Sequence, residues 1–238
     1  MTNKTKIVAT LGPASWDPPM LARLIKAGVD VFRINFSHGV RGEHERTLET
    51  IRTVSAEMGT PVGVMADLCG PKIRVGKIVG GSVLLVEGSE LVIQRKAIEG
   101  NANRISTTLP ELIDDVRMRQ SIRLDDGKME LKVVSCDAPK RITCRVVTGG
   151  MLASGKGVNL PGTNLSLSAL TEKDRSDAAW IAKQDFDYVA LSFVQRAADV
   201  KALRKLLKAG KSEARIVAKI EKPQAVKNID AILAVTDG

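Results

Sequence analysis

The chain has 238 residues, with 36 Lys and Arg against 27 Asp and Glu, and a formal charge of +9. A content of 44% hydrophobic and 26% charged residues lies near the globular average, which excludes disorder and a fibrous repeat. Only 3% of the residues are aromatic, too few for the stacking platforms of single-stranded nucleic-acid binders, and no nucleic-acid partner is expected. Apolar runs are as short as Val83-Leu84-Leu85-Val86, so no membrane span or secretory signal is expected. Three cysteines, Cys69, Cys136 and Cys144, form neither a CxxC pair nor an even framework, which suits a reducing cytoplasm.

In chain order, Lys6–Leu11, Asp30–Phe36 and Pro61–Asp67 read as buried strands from their short β-branched runs, and Tyr188–Phe193 and Arg215–Ile220 repeat the pattern. Helices are expected between them. Asp17 before Pro18-Pro19 is an N-cap with proline in the first turn, and Gly28 ends that helix. Leu48, Ile51, Val54 and Met58 recur at helical spacing before Gly59; Thr171 caps a further helix, and Leu203, Leu206 and Leu207 mark another before Gly210. Strand starts are separated by about 24, 32, 126 and 27 residues, and the short steps suit βα units with parallel strands.

The long step requires an insertion, expected at 72–158, that divides the main domain into 1–71 and 159–238. Its grammar differs. Gly80-Gly81 and Glu87-Gly88 bracket Ser82–Val86, and Asp126-Gly127 separates Ser121–Leu124 from Met129–Val134 as in a hairpin. Asp137-Ala138-Pro139-Lys140 then turns the chain into Arg141–Val147. A small antiparallel barrel or sandwich is expected there. The positive excess is greatest in this stretch: residues 71–157 carry 15 basic and 10 acidic side chains. A mixed solvated surface accounts for it, and a field that steers a small polyanion is the sharper reading.

In a (β/α) barrel, chemistry sits at the C-terminal ends of the strands. Those ends carry Arg33, Asn35, Ser37 and His38, then Asp67, then Lys219 and Glu221. Strand alternation points Arg33, Asn35 and Ser37 to one side, costly in a core unless a ligand or partner satisfies them. Lys219 and Glu221 share a face in the same way, as an ammonium beside a candidate metal carboxylate. His44 is expected to face solvent from the following helix.

Five segments carry a family resemblance: KIVATLGPAS from Lys6, RINFSHG from Arg33, DLCGPKIRVG from Asp67, GKGVNLPG from Gly155 and AKIE from Ala218. In this order they resemble pyruvate kinase over essentially the whole chain. The resemblance implies a TIM-barrel (β/α)8 domain, here its first five βα units, interrupted after the third strand by a small β-barrel lid. It implies phosphoryl transfer from phosphoenolpyruvate to ADP, giving pyruvate and ATP. Lys219 would be catalytic, Arg33 and Lys219 would bind substrate, and Asn35, His38, Arg74 and Lys156 would contact nucleotide. Glu221 would hold Mg2+ or Mn2+, and Asn35, Ser37, Asp67 and Leu68 would form a monovalent-cation pocket. Where many members read Thr-Lys-Gly-Pro-Glu, this chain reads Leu68-Cys69-Gly70-Pro71-Lys72. A tethered ammonium at Lys72 would supply the charge of K+, making the ion dispensable. The parent enzyme would be a homotetramer. Because Val235–Gly238 falls where a sixth barrel strand should begin, the expectation is an N-terminal fragment inactive alone. The alternative is a non-catalytic phosphate- or partner-binding half-barrel module.

Overall fold

A computed structural model describes residues 4–163 and 168–238. It opens with two βα steps and a third strand: β1 (Val8–Thr10), α1 (Pro18–Lys26), β2 (Val31–Asn35), α2 (Arg41–Glu57) and β3 (Gly63–Asp67). The inserted stretch holds β4 (Ser82–Leu85), β5 (Glu90–Gln94), β6 (Arg104–Ser106), α3 (Leu112–Asp115), β7 (Ser121–Leu124), a 3-10 turn at Asp125–Gly127, β8 (Met129–Asp137), β9 (Arg141–Thr148), β10 (Gly150–Ala153) and β11 (Val158–Asn159). The chain then resumes its alternation with α4 (Glu172–Ile181), β12 (Tyr188–Leu191), α5 (Ala197–Ala209), β13 (Arg215–Ala218), α6 (Pro223–Lys227) and α7 (Ile229–Leu233). None of the described helices is long and apolar enough to cross a membrane.

Two compact units result. One joins the residues up to Pro71 with Ser168–Gly238; the other runs from Lys72 to Leu167. In the first, five parallel strands stand in the order β1-β2-β3-β12-β13, the curled front of an incomplete TIM-barrel type domain. The helices form where the sequence signals them: Asp17 accepts from the Met20 amide at the start of α1, and Thr171 accepts from the Asp174 amide at the start of α4. Phe32, Ile34, Val64, Ala66, Val189, Leu191 and Ile216 fill the core of this unit. Strand alternation sends the residues between them to the opposite face of the sheet.

The second unit has its own core, with Leu91, Ile93, Ile122, Leu131, Ile142 and Cys144 all buried. Six strands run in the order β11-β7-β8-β9-β5-β6, and β4 pairs with β10 as a separate ribbon. The sheet is antiparallel except for β5 and β6, which run parallel. Its two outer strands are joined by the segment around Arg74-Val75. Val75 donates its amide to the Lys156 carbonyl and Val158 donates to Ile73, while Gly76 donates to Ser106 and Thr108 to Arg74. The segment thus closes the sheet into a small barrel and leaves neither outer strand open. Val158 and Leu160 lie in this core, and Thr163 donates to Gln120, so the unit continues beyond residue 158.

Candidate functional site

Register explains why polar groups collect at one end of the parallel sheet. Asn35 of β2 is the partner of Asp67 on β3, Ala190 of β12 is the next partner of Asp67, and Leu191 is level with Ala218 of β13. Arg33, Asn35, Asp67, Ser192 and Lys219 therefore project from the same face at successive levels towards the C-terminal end of the sheet.

Asp67, only 2% exposed, is the hub. The Arg33 guanidinium donates from Nε to Asp67 Oδ2 at 2.7 Å, with Nη2 2.5 Å from the same oxygen. Lys219 Nζ lies 3.2 Å from both Asp67 oxygens and donates to Ser192 Oγ at 2.9 Å. Ser192 in turn donates to the Leu68 carbonyl at 2.7 Å. Arg33 Nη1 donates to Thr10 Oγ1 at 2.8 Å. A carboxylate this buried is tolerable because it is paired and hydrogen-bonded. Of the five guanidinium N–H donors, these contacts use three and leave two for an anion.

Lys219 also lies 3.3 Å from Glu221 Oε1, and Glu221 Oε2 accepts the Phe193 amide at 3.0 Å. The sequence expects Arg33, Asp67, Lys219 and Glu221 at the strand ends; the structure adds that Arg33 and Lys219 both pair with Asp67. Among the described residues there is no cluster of three or more His, Cys, Asp or Glu side chains suited to a metal. A lone carboxylate such as Glu221 still fits Mg2+, a hard cation often held by one or two carboxylates plus substrate oxygens.

The turn after β2 is built by its own polar groups. Asn35 Oδ1 accepts the Ser37 amide at 3.0 Å, and His38 donates its amide to the Asn35 carbonyl. The Phe36 amide donates to the Asp67 carbonyl, which ties this turn to the end of β3. The structure thus brings together Arg33, Asn35, Ser37, Asp67, Leu68, Lys219 and Glu221, with His38 exposed at the turn. Leu68 takes part through its backbone, since its side chain is buried in the core.

Arg74, Lys156 and Lys72 belong to the inserted unit. There Arg74 donates from Nη1 to the Gly155 carbonyl at 2.9 Å, and Lys156 Nζ lies 2.9 Å from Asp125 Oδ1. Asp125 also bonds Lys128, and these two ammonium groups hold its carboxyl below the usual range, Lys156 contributing most. Lys72 is exposed.

One expectation is corrected. His44 is 8% exposed rather than solvent-facing, with its ring centroid 4.3 Å from that of Phe36. Helix α2 turns it inward in step with Leu48 and Ile51, and burial lowers its pKa.

Sequence reasoning missed Thr10, Ser192 and the long-range contacts of the first turn of α4. Ser192 was detectable, two residues beyond Ala190 on the strand that faces Asp67. The α4 contacts were not, because they join residues far apart in sequence: Lys173 Nζ donates to the Phe36 carbonyl at 2.8 Å, and the Gly70 amide donates to Asp174 at 3.2 Å.

The sequence is similar to known proteins along its whole length. A family model for the pyruvate kinase barrel domain matches residues 2–238. Pyruvate kinase of Geobacillus stearothermophilus is 44% identical over 240 residues, covering 100% of this chain and 41% of the relative. Pyruvate kinase 2 of Synechocystis is 42% identical with the same coverage, and the Staphylococcus saprophyticus enzyme is 44% identical over 99% of this chain and 40% of its own length. The chain spans about two fifths of the length of the curated relatives it matches.

Proposed function

The chain belongs to the pyruvate kinase family, and from that premise we propose that it supplies the phosphoenolpyruvate-facing part of a pyruvate kinase site. The reaction moves a phosphoryl group from phosphoenolpyruvate to ADP and yields pyruvate and ATP, a glycolytic step. The single observation that carries this reading is the convergence of Arg33 and Lys219 on buried Asp67, with Glu221 adjoining Lys219.

In this reading the two remaining donors of Arg33 fork onto the substrate phosphate, held in plane by Asp67 and Thr10. Lys219 places fixed positive charge where the transferring phosphoryl group and the enolate oxygen develop negative charge, and loss of such a group costs roughly 10²–10³ in rate. Glu221 would hold Mg2+ or Mn2+, which when bound would supply positive charge to the substrate oxygens. By the family resemblance, Asn35, His38, Arg74 and Lys156 are the nucleotide-contacting residues. Asn35, Ser37, Asp67 and Leu68 form the monovalent-cation pocket, and Lys72 provides the charge that K+ would bring. The protein works in the cytoplasm, as its three free thiols favour, within a homotetrameric parent.

Calorimetric titration with oxalate or phosphoenolpyruvate in Mg2+ tests the site. We expect saturable binding that is lost in Lys219→Ala and in Glu221→Ala; binding unchanged in both variants, or absent from the parent chain, overturns the assignment. Replacing Na+ by K+ tests Lys72. Equal affinity in the two salts is expected, and strong enhancement by K+ rejects the substitution of lysine for the ion.

A further inference from the structure

Phe193 has a backbone φ of +56°, a conformation rare for a bulky residue. Such an outlier persists only where its surroundings over-determine it, and it points to a role in the site it adjoins. The surroundings here are specific. The ring lies against Gly70, where a Cβ would fall 2.6 Å from Phe193 Cδ2, so no other residue fits without displacing the ring. Gly70 itself has φ +66° and is fixed by the bond from its amide to Asp174, whose side chain is fully buried at the first turn of α4. On the other side Lys222 Nζ stands 5.4 Å from the ring centroid. The strained backbone has one polar consequence. It turns the Phe193 amide to donate to Glu221 Oε2 at 3.0 Å, while Oε1 lies beside Lys219.

We infer that Phe193 is the positioning residue for Glu221: its ring, wedged between Gly70 and Lys222, locks the backbone whose amide holds one carboxylate oxygen and so orients the other. The inference rests on the proposed reading of Glu221 as a metal ligand. It adds a chain of contacts that starts in α4 and runs through Asp174, Gly70 and Phe193 to that ligand. Hydrogen-bonded partners of metal-binding carboxylates typically change metal affinity by ~10–100-fold when lost. Phe193→Ala keeps the amide but releases the ring, so the expected loss is at the low end of that range.

The test is Mn2+ affinity, read from the electron paramagnetic resonance signal of the free ion, in the full chain and in four variants. Phe193→Ala should weaken binding about tenfold, and Phe193→Leu, which refills the wedge, should recover most of it. Val194→Ala removes buried core volume next to Phe193 but keeps the Phe193 ring, and should leave Mn2+ affinity unchanged although it lowers stability. Parental affinity in Phe193→Ala, or an equal loss in Val194→Ala, overturns the positioning role. Glu221→Gln separates the two claims: if the parent binds no Mn2+, or Glu221→Gln binds it as the parent does, the metal reading of Glu221 fails and the inference fails with it.

Discussion

Asp67 shows how a single buried carboxylate organises a site. It has little contact with water, and its charge is balanced by Arg33 and Lys219, whose side chains are 28% and 30% exposed. Asp67→Ala leaves Arg33 without its carboxylate partner and leaves Lys219 with Glu221 alone. For fully buried pairs, removal of one partner costs ~3–5 kcal/mol. Water reaches both cations here, so the expected cost is nearer 2 kcal/mol. Urea denaturation of the purified variant measures it, and a cost indistinguishable from zero would mean that Asp67 is no hub. His44 gives the second prediction at this scale. Burial disfavours its protonated form, so its folded pKa lies below the unfolded value of about 6.5. Between the two values the unfolded chain binds more protons, so His44 contributes a loss of stability as pH falls below about 6.5. His44→Phe, which keeps a ring against Phe36, should flatten that part of the profile in melting curves between neutral and mildly acidic pH. The expectation that His44 faces solvent failed. Charged neighbours such as Glu43 and Glu45 conceal that position 44 is in phase with Leu48 and Ile51.

At the scale of elements, the parallel strands and their helices were legible because burial on one or both faces leaves a strong pattern. Asp17 and Thr171 announce α1 and α4 through side chains that cap their own helices, a wholly local effect. By contrast, β6 (three residues) and β11 (two residues) were too short to leave a periodic signal. The parallel pairing of β5 with β6 was equally hidden, since register across a sheet is a long-range property. The first turn of α4 shows both kinds of information at once. Thr171 caps the helix, whereas Asp174 also accepts the amide of Gly70, 104 residues earlier in the chain. Thr171→Ala should therefore cost about 1 kcal/mol, the loss of an ordinary cap. Asp174→Ala should cost more and should also speed hydrogen exchange at the Gly70 amide, which Thr171→Ala leaves protected. Equal exchange at Gly70 in the two variants would show that the Asp174 contact does not hold that loop.

At the scale of the whole molecule, the composition switch near residue 72 was readable because a hairpin-rich stretch interrupts a βα rhythm. Where the interruption returns was harder to read. The return expected after residue 158 falls short, since Leu160 still fills the core of the inserted unit and Thr163 bonds Gln120. Two separate apolar cores imply that a core defect should stay in its own unit. Leu131 and Ile51 are both fully buried, one in each core. Leu131→Ala should remove roughly 2–5 kcal/mol from the inserted unit, and Ile51→Ala should remove a similar amount from the parallel-sheet unit. Hydrogen exchange followed by mass spectrometry resolves the two. The expected result is faster exchange in peptides from β7, β8 and β9 for Leu131→Ala, with β2 and β3 unchanged, and the reverse for Ile51→Ala. The closing segment gives the sharper version of the same test. A Cβ at Gly76 would lie 2.7 Å from Ser106 Oγ and 3.1 Å from the Ser106 carbonyl oxygen, so Gly76→Ala should force β6 away from the closing strand. Exchange should then rise at both outer strands, β6 and β11, because the Ile73–Gly76 segment bonds to both sides. A rise confined to β6 would mean that the segment does not act as a single closing strand, and the small barrel would be better described as an open sheet.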